Sequence, residues 1–234
     1  MAAATRAPKG NRLLQALPAK ELGLLRPHLA HGSFKVHQGF ERANKQIEEV
    51  WFPESGILSV VAEHAGGSAE IGIIGCEGMS GTAVILGSDR SPHVTYVQLA
   101  GDGHRLPAAK LREAMARSQS LHRLLMKFVQ AFLVQTAHTA IANARATLVE
   151  RLARWLLMAH DRVPGQQLVL THEFLSVMLA VRRAGVTEAL HDLEGRKLIA
   201  VGRREITLRD RSGIEKIAGE FYGTPEGEYR RLFK

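Results

Sequence analysis

Residues 170–208 read LTHEFLSVMLAVRRAGVTEALHDLEGRKLIAVGRREITL. Thr171 is suited to cap a helix over 172–179, because its hydroxyl can accept from a free N–H of the first turn. Phe174, Leu175 and Met178 give that helix an apolar face. A short turn at Ala180 and Val181 follows. A second helix is predicted from about Arg182 to Arg196, with Val186, Leu190 and Leu193 turned inward. Residues 198–201 and 205–208 read as two short strands around Gly202, Arg203 and Arg204. The order is helix, turn, helix, hairpin wing. In such an arrangement the second helix enters the DNA major groove with its N-terminal residues at the base edges. Arg182 and Arg183 stand there, and Arg suits guanine O6/N7 and phosphate. Thr187 and Glu188 follow one turn later, and Glu can accept from cytosine N4. Arg203 and Arg204 at the wing tip suit backbone phosphates. With Thr171 and His172 at the start of the first helix, these are the candidate DNA-binding residues.

Upstream, the pattern changes twice. Residues 13–29 carry leucines near helical spacing, with Pro18 placed to open a second short helix. From 33 to about 106, short apolar runs at 50–52, 57–62, 71–74, 83–86 and 94–99 are separated by Gly, Pro, Ser and Asp. That predicts a small antiparallel β sandwich or barrel. Pro107 then opens a helical region, with a short helix over 108–116 and a long one from Leu121. Leu121, Leu125, Phe128, Phe132, Gln135, Thr139 and Ala142 alternate steps of four and three. This row is the expected dimer seam, with Leu121, Leu125, Phe128 and Phe132 as its dimerisation residues. A second row, Leu124, Val129, Leu133, Thr136 and Ala140, widens the stripe, so one row can pack on the β domain while the other meets a partner chain. A core-facing helix is the alternative. Residues 143–147 are the expected hinge, followed by an amphipathic helix marked by Leu148, Leu152, Trp155 and Leu156 and ended by a Pro164–Gly165 turn. The domains are placed at 1–106 (β domain), 107–144 (linker and dimerisation helix) and 145–234 (DNA-binding domain).

The 234 residues suit one large or two modest domains, and 45% hydrophobic content suits packed cores. No run approaches the roughly 18 uninterrupted apolar residues of a membrane span. MAAATRAPKGNR at the start shows no apolar signal region, so a soluble cytoplasmic protein with no membrane partner is expected. The single Cys76 excludes an intramolecular disulfide and an all-cysteine iron–sulfur site within one chain. The net charge of +8 and isoelectric point of about 10.0 favour polyanionic partners. Over 182–211, eight basic residues stand against five acidic ones, and most of the basic ones come in pairs: Arg182-Arg183, Arg196-Lys197 and Arg203-Arg204.

The stretches RLARWLLMAHDRV (151–163), LTHEFLSVMLAVRRAGVTEALHDLEGRKLI (170–199) and IEKIAGEFYG (214–223) resemble the Crp/Fnr superfamily of bacterial regulators. The likeness extends to VWFPESGILSVV (50–61) and IIGCEGMSGTAVILG (73–87), and so over nearly the whole chain. It implies an α+β fold: an N-terminal antiparallel, jelly-roll-like β-roll similar to a cyclic-nucleotide-binding domain, a long dimerisation helix and a C-terminal winged helix-turn-helix. It also implies a non-enzymatic, homodimeric transcription regulator of double-stranded DNA, with RNA polymerase and a small-molecule effector as partners left open. Cyclic-nucleotide-binding members hold the ribose with a Glu and the phosphate with an Arg. Here those positions fall at Thr82 and Pro92, with Arg90 displaced by two residues. Without a fixed Arg the phosphate charge lacks a buried partner, so the effector domain reads as degenerate and cyclic AMP is not expected to bind.

The GCEGMSG loop at 75–81 reads chiefly as a structural turn. Its remaining role would be to line a pocket for another effector, through Glu77, Met79, Ser80 and Thr82. The eleven histidines are scattered, with His28 and His31 the one near pair and no H-x-H, so neither metal nor cofactor is expected. Cys76 would be a redox sensor only if exposed and low in pKa. No catalytic triad, paired-carboxylate cluster or phosphate-binding loop is evident. The competing reading is a small-molecule sensor or β-barrel enzyme whose basic tail mediates protein contacts.

Overall fold

The computed structural model describes residues 10–65, 67–163 and 165–234. Pro164, on which the expected turn after 163 partly rests, lies outside them, as do Gly66 and most of the N-terminal stretch used to judge a signal region. Two short helices, α1 (Arg12–Gln15) and α2 (Ala19–Leu25), and a 3-10 turn (Arg26–His28) lead into the sheets. Strands β1 (Ala30–Phe34), β2 (Gly39–Glu41), β3 (Glu49–Pro53), β4 (Ile57–His64) and β5 (Gly67–Ile74) precede the one-turn helix α3 (Thr82–Ile85). Then come β6 (Val94–Leu99) and β7 (Gly101–Pro107). They form two antiparallel sheets, ordered β1-β7-β3 and β2-β6-β4-β5. Phe34, Val50, Phe52, Leu58, Val97 and Leu106 are buried in the roll they make.

The apolar run at 83–86, counted among the strand signals, is helical instead. Thr82 and the three apolar residues after it make one turn, which buries Val84 and Ile85. Strands β1, β2 and β7 lie where the sequence showed no apolar run.

Helices α4 (Ala108–Arg117) and α5 (Gln119–Arg145) follow. Ser118 caps α5, its hydroxyl accepting from the Leu121 N–H at 3.2 Å. The orientation of α5 corrects the expected seam. Leu121, Leu125, Phe128 and Phe132 are all buried in the chain's own core, the last two at 2% and 9% exposure. Two glycines allow this approach: a Cβ on Gly78 would stand 2.2 Å from the Phe128 ring, and one on Gly72 would stand 2.8 Å from Phe132. Gln135 completes the docking, accepting from Ile73 N–H at 2.7 Å and donating to Ile73 O at 3.2 Å. By length and composition α5 could cross a membrane, yet this row is held against β5 and the loop after it.

Helix α5 runs to Arg145, so 143–145 are not hinge. The break is Ala146 and Thr147. Thr147 and Glu150 form a reciprocal capping box that starts α6 (Leu148–His160). The C-terminal unit continues through β8 (Gln167–Leu168), α7 (His172–Met178), α8 (Arg183–Gly195), β9 (Ile199–Gly202), β10 (Glu205–Leu208), α9 (Arg211–Ala218), a 3-10 turn (Gly219–Phe221) and α10 (Thr224–Leu232). Its core, built on Leu152, Leu156, Leu175, Val186, Leu190, Leu193 and Ile206, also takes in Ile57, Ile73 and Leu99 from the roll. The two units therefore share buried apolar surface.

Candidate DNA-binding interface

Helix α7 starts as expected, with the Thr171 hydroxyl accepting from Phe174 N–H at 3.2 Å. Leu175 and Met178 are buried. The turn into α8 is made by Ala180, whose φ of 49° lies in the left-handed region, where a Cβ costs about 1–2 kcal/mol. The turn is held by Val181 N–H donating to Ser176 O at 3.0 Å. Arg182 precedes α8 in extended conformation. Val186, Ala189, Leu190 and Leu193 face inward, and Arg182, Arg183, Ala184, Glu188 and His191 are exposed. Ala184, Glu188 and His191 fall at i, i+4 and i+7 and so share one outward face. His191 was not among the residues expected from the sequence; its spacing from Glu188 places it on this exposed face.

Thr187 and His172 have a different place from the arginines. The Thr187 hydroxyl donates to Arg183 O at 3.2 Å and lies 3.0 Å from His172 Nδ1. The pair ties the start of α7 to the second turn of α8. Thr171, as the cap, and these two side chains position the helices, whereas the exposed groups are Arg182, Arg183 and Glu188.

The wing is a three-stranded antiparallel sheet, β8-β10-β9. Gly202 pairs with Glu205, leaving Arg203 and Arg204 as the exposed hairpin tip. Arg204 has φ 63°, and its carbonyl accepts from Leu170 N–H at 3.0 Å. That bond fixes the wing to the residue before the α7 cap. Arg182, Arg183, Arg203 and Arg204 form no ion pair among the described residues. Arg196, by contrast, is held by both oxygens of Asp192 at 2.8 and 2.9 Å. Arg182-Arg183 at the start of α8 and Arg203-Arg204 at the wing tip are thus exposed doublets in which neither charge is paired among the described residues.

The proposed effector residues are not brought together. Met79 is fully buried in the roll core. Ser80 is buried too, with its hydroxyl accepting from Trp51 N–H at 2.9 Å. Thr82 begins α3. Glu77 alone of the four reaches a cavity, of about 260 Å³, between α5 and the C-terminal unit, and there it pairs with Arg162. Cys76 is half-buried, and burial, with the neighbouring Glu77, pushes its thiol pKa up. This is the reverse of what a thiolate sensor needs.

Residues 150–217 match the family model of the Crp-like helix-turn-helix domain. No curated protein sequence matches the chain. Among solved structures, it is similar to a putative Crp/Fnr-family transcriptional regulator from Eubacterium rectale, at 18% identity and TM-score 0.68, covering 88% of this chain and 97% of that one. FixK2 from Bradyrhizobium japonicum matches at 17% identity and TM-score 0.68, over 82% and 98% of the two chains. The c-di-GMP-responsive regulator CLP from Xanthomonas campestris matches at 16% identity and TM-score 0.64, over 82% and 99%. Residues 150–217 thus match a Crp-like helix-turn-helix domain, in a chain whose fold is similar to that of a solved Crp/Fnr-family regulator.

Proposed function

We propose that this protein is a homodimeric, sequence-specific transcription regulator that reads double-stranded DNA with α8 and clamps the backbone with its wing. The observation that carries the reading is the pair of unneutralised arginine doublets, Arg182-Arg183 at the start of α8 and Arg203-Arg204 at the wing tip. Charge at those two places meets base edges and phosphates respectively.

The test uses a cognate site selected from random duplexes. Arg183→Ala should cost about 1–3 kcal/mol on that site and relax preference at one base pair. Glu188→Ala should alter preference at a neighbouring pair without weakening nonspecific binding. Arg203→Ala should weaken all sequences alike and lower the salt slope by about one unit. Equal losses for Arg183→Ala and Arg203→Ala on cognate and scrambled duplexes would reduce the surface to a generic polyanion site.

Dimerisation falls to the opposite face of α5 from the one first expected. Met126, Gln130, Leu133, Ala137, Ala140 and Ala144 repeat at alternating steps of four and three, and all six are exposed. Leu133 is 57% exposed, with Ile141 beside the row at 49%. A second copy suits this row because a heptad seam is self-complementary and a two-fold pair of winged helices reads two half-sites. Leu133→Asp should convert the dimer to monomer by sedimentation, since the charge would be buried in the seam. A dimer of unchanged affinity would reject the face. Phe128 and Phe132 pack between α5 and the roll, which supports a degenerate effector domain that does not bind cyclic AMP.

A further inference from the structure

Strand pairing gathers four residues that stand far apart in sequence. His31 on β1 lies directly opposite His104 on β7. Asp102 is two residues before His104, so the alternation of a strand puts it on the same face. Glu54 follows β3 on the other side of β7, and its N–H donates to Asp102 O at 2.8 Å. His31 Nε2 is then 3.2 Å from Asp102 Oδ2 and 3.7 Å from Glu54 Oε2. The donor atoms of these three residues all lie within 4.8 Å of one another. In a tetrahedral zinc site with bonds of about 2.0–2.1 Å, neighbouring donor atoms stand roughly 3.3 Å apart. The two His31 distances bracket that edge.

We propose that His31 Nε2, Glu54 Oε2 and Asp102 Oδ2 bind a divalent transition-metal cation, with zinc as the reference ion and solvent in the fourth position. One imidazole and two carboxylates are a borderline-to-hard donor set that suits Zn²⁺, Fe²⁺ or Mn²⁺ and excludes the soft ions that need thiolates. The outer groups hold the donors in place, as metal sites require. Asp102 Oδ1 accepts from the Ser55 hydroxyl, which leaves Oδ2 toward His31. Glu54 Oε1 accepts from Gly10 N–H at 3.2 Å and lies 3.5 Å from His104 Nδ1, and Oε2 is the oxygen 3.7 Å from His31 Nε2. The buried His104 ring stands edge-on to His31, with centroids 5.2 Å apart, and restricts its rotation. The donors sit on or directly beside paired strands, so their spacing is set by sheet register. His31 and Asp102 are about one-third exposed, which gives an ion its route in.

The test is calorimetric titration of chelator-treated full-length protein with zinc chloride, with cobalt absorbance as a second readout of tetrahedral geometry. Wild type should take up one equivalent per chain, and cobalt should give the intense visible bands of a tetrahedral site. His31→Ala and Asp102→Asn should each weaken binding by about 100-fold or more, beyond the range typical of outer-shell changes. Both positions are at the surface, and circular dichroism checks that the variants fold. His28→Ala, which alters a histidine outside the cluster, should bind as wild type does. Absence of a one-equivalent transition would overturn the site, as would equal losses for His28→Ala and His31→Ala. No DNA enters the experiment, so its failure would leave the regulator reading untouched.

Discussion

Glu77→Ala is expected to destabilise the protein by about 3–5 kcal/mol, because it strands a buried guanidinium. Glu77 Oε1 accepts from Arg162 Nε at 2.8 Å, and both side chains are nearly excluded from solvent. Arg162 stands just past the end of α6 and also donates to Met158 O at 2.7 Å. Burial works against its charge, but Glu77, with Glu226 and Asp161, outweighs that and raises its pKa. Gly75 supplies the room: a Cβ there would come within 2.8 Å of the Arg162 side chain. On the far side, the Tyr229 hydroxyl of α10 donates to Glu77 O at 2.8 Å. One loop residue therefore joins the roll, the end of α6 and α10. Urea denaturation should show the loss as a lower midpoint. The double variant Glu77→Leu with Arg162→Met should recover most of it, since an apolar pair of similar volume removes both desolvation costs. A loss below about 1 kcal/mol for Glu77→Ala would mean that water reaches the pair and its charge is screened.

That role for Glu77 also marks where sequence reading stopped. The winged helix was legible because its signals are local. Thr171 precedes an apolar face, Val186, Leu190 and Leu193 repeat at helical spacing, and Gly202, Arg203 and Arg204 interrupt two short apolar runs. The face of α5 was not legible. Both of its rows are apolar, and only the placement of Gly72 and Gly78 decides that Phe128 and Phe132 meet the roll. Residues 30–34 and 101–107 hid their strands, because AHGSF and GDGHRLP are half-exposed and rich in Gly and His. Their pairing is non-local, so the approach of His31 to Asp102 had no sequence signature either. The same holds for Glu70 and Trp155, which are 85 positions apart.

Glu70 gives the second large effect, and its sign depends on pH. It is buried on β5, with Oε1 accepting from Trp155 Nε1–H at 2.8 Å and Oε2 from the Ser59 hydroxyl. Burial raises its pKa from an ordinary 4.5 to about 7, against the two hydrogen bonds and the more distant Arg154 and Arg162, which favour the charged form. Below the unfolded value both states carry the proton, and the site contributes nothing to pH dependence. Between 4.5 and 7 the native state keeps a proton that the unfolded chain has lost. Stability therefore falls as pH rises through this window, and the whole cost is present above 7. At 1.36 kcal/mol per pKa unit it amounts to about 3 kcal/mol. Glu70→Gln keeps an acceptor for the Trp155 indole but cannot ionise. The variant should be more stable than wild type by up to about 3 kcal/mol at pH 8, and the difference should shrink toward zero or reverse near pH 5. Urea unfolding of both proteins at pH 5, 6, 7 and 8 measures the gap. Parallel stability profiles would show that Glu70 titrates alike in the folded and unfolded chains, and that the Trp155 contact holds a carboxylate already charged.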